Sequence, residues 1–124
     1  MVDYKIITKH TVIPPHLNMH SNLFGGVMLS WLDEAGYLYA VEICRSTNIV
    51  TVAMNNIVFK SPVRLGDIVT FYGKLLKIGK TSITIKLKAE IFSVINSNSS
   101  SNNPVIECEI VFVKVDENGI PINI

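Results

Sequence analysis

From Leu23 to Ile43 the chain runs apolar for long enough to cross a bilayer, yet Asp33 stands in the middle of the run. Any fold of this chain has to hide that surface and still accommodate the acid. A membrane span does this badly. Asp33, Glu34 and Glu42 would all enter the hydrocarbon, and an Asp at mid-depth costs about 2.5 to 3.5 kcal/mol. The segment is therefore expected to be a helix of a water-soluble domain. The opening MVDYKIITKH carries an acid and two lysines where a signal peptide needs an unbroken apolar core, so a cytoplasmic protein is expected. At 124 residues the chain suits one domain, 1–124, with 48% apolar and 17% charged residues, far from the composition of disorder. Its formal charge of +1 comes without a basic block, which argues against a nucleic-acid partner.

Around the helix the pattern reads as strands. YKIITKHTVI is β-branched and stops at Pro14 and Pro15, which cannot continue a ladder. TNIVTVAMNNIVFKSP is a second run closed by Pro62, and RLGD turns the chain into a third, DIVTFYGKLLK. In SITIKLKAEI the alternation sends Ile83, Ile85, Leu87, Ala89 and Ile91 to a core face and Ser82, Thr84, Lys86, Lys88 and Glu90 to a wet one. The polar run 96–103 reads as a hairpin connection. PVIECEIVFVKVD then turns Ile106, Cys108, Ile110 and Phe112 inward, and ENG supplies a turn. Cys44 and Cys108 lack the spacing of a metal site or a disulfide framework and read as small buried hydrophobes.

At about 100° per residue, Phe24, Val27, Met28, Trp31, Leu32, Ala35, Leu38, Tyr39 and Ile43 form a broad stripe expected to lie on the sheet. The opposite face reads Gly26, Leu29, Asp33, Gly36, Tyr37 and Ala40, small and apolar apart from the acid. A second copy of the chain about a two-fold axis is the simplest cover for such a face, which places Asp33 at a subunit interface. There it is either a hydrogen-bonded structural acid or a partly desolvated base or nucleophile.

The helix is expected to start at HSNLFGG, with Asn22 as N-cap and the amide groups of Gly25 and Gly26 in the first turn. Two glycines weaken a first turn by roughly 1 kcal/mol each, but they leave its N–H groups open to a ligand at the positive end of the helix dipole. Close helix packing would use the same glycines. Gly25 and Asp33, eight residues apart, are separated by about 12 Å along one helix. They cannot grip one carbonyl. Antiparallel helices across a dimer axis would bring the glycines of one chain to the acid of the other.

The order of one strand, a long helix and four strands, together with NLFGGVMLSWLDEAG and VTVAMNNIVFKSPVRLGDIVTFYGKLLKIGKTSITIKL, resembles the hotdog-fold acyl-CoA thioesterases, in particular the YciA-like and cytosolic acyl-coenzyme A thioester hydrolases. The resemblance runs from about Tyr4 to Gly119. It implies an α+β hotdog fold, an antiparallel five-stranded sheet wrapped around one long central helix. By the same resemblance Asp33 is the catalytic carboxylate, acting on water or directly on the thioester carbon. Asn22 orients water or substrate from the opposing subunit, Gly25 donates to the thioester oxygen, and Gly26 is counted among the substrate-binding residues. Dimers that assemble into trimers of dimers are implied as well.

The substrate so implied is an acyl-CoA, split into a carboxylic acid and CoA. CoA is then part of the substrate, and no cofactor is expected. Arg64, Lys77 and Lys80 lie around two turns that the family places near the nucleotide, and Gly79, Thr81 and Ser82 offer donors to pantetheine or phosphate. Taken singly, each of these lysines reads first as an exposed solubilising charge. His16 and His20 sit in a proline-bounded loop without a third ligand, so no metal is expected. The alternative class is a hotdog module that binds acyl-CoA without turnover, although such a binder has no need of both Asp33 and the glycine donors.

Overall fold

A computed structural model describes residues 3–93 and 103–124. Its elements are β1 (Lys5–Thr11), a single 3₁₀ turn (Pro14–His16), α1 (Gly25–Cys44), β2 (Ile49–Phe59), β3 (Ile68–Ile78), β4 (Ser82–Ile91) and β5 (Ile106–Lys114). The strands form one antiparallel sheet in the order β1-β3-β4-β5-β2. That order leaves β2 as an open edge of 11 residues. The polar run 96–103 lies outside the described residues except for Asn103.

Period-two alternation sets the sheet faces. Ile83, Ile85, Leu87 and Ala89 of β4 and Ile106, Ile110 and Phe112 of β5 are fully buried, with Cys108 nearly so. Ile91, expected inside, is 37% exposed where the strand ends. Glu90, expected on the wet face, is buried and pairs with Lys88 at 2.9 Å, while the Lys88 ammonium lies over the Tyr4 and Tyr72 rings. Aromatic rings and a lysine stem thus cover the outer face locally. At the RLGD turn the Asp67 carboxylate accepts from Arg64 N–H at 2.8 Å, and Gly66 supplies the positive φ of 87°. At ENG, Gly119 does the same with a φ of 80°.

The helix faces meet the expectation in part: Met28, Leu32 and Ala35 of the expected stripe are buried, with Val27, Trp31, Tyr39 and Ile43 packed against the same core. The buried positions of α1 are Met28, Leu32, Ala35, Gly36, Ala40 and Cys44, while Phe24 and Leu38 are about half exposed. A stripe centred on the bulkiest residues misplaces the contact, because the curled sheet approaches closest where side chains are smallest. A Cβ added to Gly36 would come within 2.8 Å of Phe112 Cζ and 2.9 Å of Leu87 Cδ1. Asp33 is therefore on the flank of the buried stripe that faces β2 rather than opposite the sheet. The N-cap also differs: Phe24 occupies it without a side-chain bond, and Asn22 lies outside the helix in a β-bridge with Arg64. None of the described helices is long and apolar enough to cross a membrane.

Candidate active site

Asp33 projects from the third turn of α1 towards the start of β2, partly buried, and its Oδ1 accepts a 2.6 Å hydrogen bond from the Thr51 hydroxyl. The bond fixes the carboxylate and leaves Oδ2 for other chemistry. Its charge is close enough to Cys108 to help raise that thiol, which burial above all, then Glu109 and Asp33, push up to about 12. Cys108 is thus held protonated, an apolar neighbour of the acid rather than a nucleophile.

A cavity of about 340 Å³ opens at the N-terminal end of the same helix. Leu23, Met28, Val63 and Ile106 give it an apolar floor, and Asn18, Asn22, Lys60 and Ser61 give it polar groups. Gly25 lines it beneath the Phe59 ring, so close that a Cβ there would meet Phe59 Cζ at 3.3 Å. Around Gly26 a Cβ would meet nothing within 4 Å, so its outer side is open to an incoming group. The loop into the helix is organised by Asn18. Its side-chain oxygen accepts from His20 N–H at 2.8 Å and Asn22 N–H at 3.2 Å, and its own N–H donates to the Asn22 carbonyl at 2.8 Å.

The residues expected to form one site fall into three groups. Asn22, Gly25, Gly26 and Arg64 lie together at the cavity end, where Arg64 bridges Asn22. Asp33 stands apart beside Thr51. Lys77, Gly79, Lys80, Thr81 and Ser82 form the β3–β4 hairpin at the other end of the sheet, since Ser82 pairs with Val113 whereas Ala89 pairs with Ile106 beside the cavity. The seven steps along β4 from Ser82 to Ala89 span about 23 Å. In the hairpin, Gly79 N–H already donates to the Ser82 carbonyl at 2.7 Å, so the donor role expected of it is taken. The hydroxyls of Thr81 and Ser82 and the exposed ammonium groups of Lys77 and Lys80 remain as side chains for a ligand, with Lys114 joined to the hairpin through its N–H to the Thr81 carbonyl.

Thr51, Asn18 and Phe59 escaped the sequence reading. Asn18 alone left a local trace, as an Asn four residues before Asn22 in a proline-started loop.

The thioesterase superfamily model matches residues 20–92, from the cavity loop through β4. The chain belongs to the thioesterase superfamily. An uncharacterized acyl-CoA thioester hydrolase of Haemophilus influenzae is 32% identical over 114 residues, 92% of this chain and 73% of the relative. The acyl-CoA thioester hydrolase YciA of Salmonella typhimurium is 29% identical over 117 residues, 94% of this chain and 87% of the relative. A hexameric hotdog-fold thioesterase of Campylobacter jejuni superposes with a TM-score of 0.82 at 32% identity, over 96% of this chain and 89% of that one. The sheet curled around one long helix is the hotdog fold, as the resemblance implied. The thioesterase family places this chain among enzymes of thioester hydrolysis.

Proposed function

We propose that this chain hydrolyses acyl-CoA thioesters in sites shared between two copies, with Asp33 from one subunit and the Asn22–Gly26 segment from the other. Asp33 Oδ2 takes a proton from water as the oxygen attacks the thioester carbon. The amide groups of Gly25 and Gly26 receive the developing oxyanion at the helix N-terminus, where the dipole favours it. The carbon–sulfur bond then breaks, and the proton passes to the departing CoA sulfur. This chemistry asks for one base and a pair of amide donors, so no metal or further cofactor is invoked. Arg64 of one subunit and Lys77, Lys80, Thr81 and Ser82 of the other are assigned to the CoA phosphates and pantetheine.

The observation that carries this reading is the separation inside one chain. The cavity lining includes Asn22 and Gly25 but not Asp33 or the β3–β4 hairpin. The edge strand β2 offers a way to unite them. It carries half-exposed Val50, Val52, Val58 and Phe59, and a long apolar edge with unpaired backbone groups invites another strand. Thr51, which holds Asp33, belongs to that edge. A homodimer, with trimers of dimers above it, is the assembly this favours, and the Campylobacter jejuni thioesterase is hexameric. The two free, buried thiols fit a reducing compartment such as the cytoplasm.

The test is a thiol-release assay over short, medium and long acyl-CoAs. Wild type releases CoA, and Asp33→Ala lowers release about 100-fold or more while acyl-CoA binding persists. Binding without release by wild type would make the chain a binding module, and unchanged release by Asp33→Ala would remove that carboxylate from the mechanism.

A further inference from the structure

We infer that His16 is a positioning residue for the amide donors at the start of α1, acting through its ring nitrogen as a backbone cap; the inference rests on the reading of Gly25 and Gly26 as oxyanion donors. That helix start has little intrinsic hold. Its N-cap, Phe24, makes no side-chain bond, and the next two residues are glycines, the least rigid of residues in a helix. The strap before it supplies the hold. Phe24 N–H donates to the His16 carbonyl at 3.0 Å, and Leu23 N–H donates to the Val63 carbonyl at 2.7 Å.

His16 is itself pinned three ways. Its N–H donates to the Ile13 carbonyl at 2.9 Å, its Nδ1 accepts from Ile13 N–H at 3.1 Å, and its ring meets Trp31 of α1 edge-on at a centroid distance of 5.0 Å. The hydrogen bond uses the Nδ1 lone pair as its acceptor. Without that acceptor, Ile13 N–H loses its partner, the 3₁₀ turn loosens, and the carbonyl that anchors Phe24 drifts. Displacement of a reacting group by about 1 Å can cost 100-fold in rate. The role is thus carried by one acceptor atom, not by the imidazole as an acid or base.

Two substitutions separate the acceptor from the ring. In His16→Asn the Oδ1 falls where Nδ1 was, two bonds from Cβ, while the Trp31 contact is lost. In His16→Phe the ring stays and the acceptor goes. Both are compared with wild type as full-length protein, by steady-state acyl-CoA hydrolysis and by hydrogen exchange of amides 24–28. His16→Phe is expected to lower kcat about tenfold or more with KM within about twofold, and to speed exchange in that segment; His16→Asn stays within about threefold of wild type in both. Should His16→Phe fail to fold, His16→Leu serves as the acceptor-free variant. An acceptor-free variant that matches wild type, or an Asn variant as impaired as the acceptor-free one, would overturn the inference. A wild type without turnover would instead sink the proposed function, and the exchange measurement would still decide whether His16 holds the helix start.

Discussion

The Thr51 hydroxyl donates a 2.6 Å hydrogen bond to Asp33 Oδ1, tying the long helix to the edge strand β2. The pair is 18 residues apart in sequence and joins the acid to the strand that a second copy would cover. Removing the hydroxyl while keeping the shape, as Thr51→Val does, leaves the carboxylate free to turn. Turnover is expected to fall about tenfold with KM little changed, whereas Thr51→Ser keeps the donor and most of the rate. Steady-state kinetics on one acyl-CoA checks this, and equal rates for the Val and Ser variants would mean the bond does no orienting.

Glycines of one helix should respond in opposite ways. At Gly36 an added methyl meets Phe112 Cζ at 2.8 Å and Leu87 Cδ1 at 2.9 Å, and both partners are fully buried. Overpacking costs about 1 to 3 kcal/mol, against a gain of about 1 kcal/mol from helix propensity, so Gly36→Ala destabilises the fold. At Gly26 the methyl meets nothing within 4 Å. Gly26→Ala should therefore leave stability equal or better, and lower turnover by obstructing the approach to the first-turn amides. Denaturant melts beside the activity assay separate the two effects; a Gly26→Ala protein of full activity would clear that side of the helix of any substrate role.

Burial holds the Cys108 thiol at about 12, above its ordinary value near 9.0, and raises Cys44 as well. A raised value in the folded state means that the stability tied to the neutral thiol is intact below about 9 and is lost as pH climbs from there towards 12. The chain should accordingly lose stability in alkaline melts, and Cys108→Ala, at the cost of a small cavity, should flatten that alkaline limb. A disulfide reagent should find neither thiol in the native protein and both after denaturation. Rapid native labelling of Cys108 would show that β5 opens readily.

Strands β3, β4 and β5 were legible in the sequence because alternation carries face information residue by residue, as Ile83, Ile85, Leu87 and Ala89 demonstrate. The helix was legible as a helix and, in part, in its orientation: Met28, Leu32 and Ala35 face the core as the stripe expects, but so do Gly36 and Ala40. Hydrophobic size ranks Phe24 and Leu38 above Gly36 and Ala40, while the curved sheet selects the small residues for its closest approach. Asp33 was found by its chemical incongruity. Thr51 was not, because a contact between residues 18 apart leaves no local pattern. The helix start was misread by two residues: Asn22 is the kind of residue that caps, yet its place in the bridge to Arg64 keeps it out of the helix, and Asn18 does the local holding. Glu90 was assigned to solvent because a strand pattern cannot see Tyr4 and Lys88 folding over it.

The claim that each site draws on two subunits is tested most directly by mixing two disabled proteins. One carries Asp33→Ala, and the other carries Asn18→Ala and Asn22→Ala together; they are unfolded and refolded alone and as an equal mixture, and CoA release is measured. Shared sites predict recovery in the mixture to about one quarter of wild-type activity, because half of the dimers are mixed and each has one site with both parts intact. A mixture no more active than its parents would place the acid and the cavity loop of each working site in the same chain, contradicting the account.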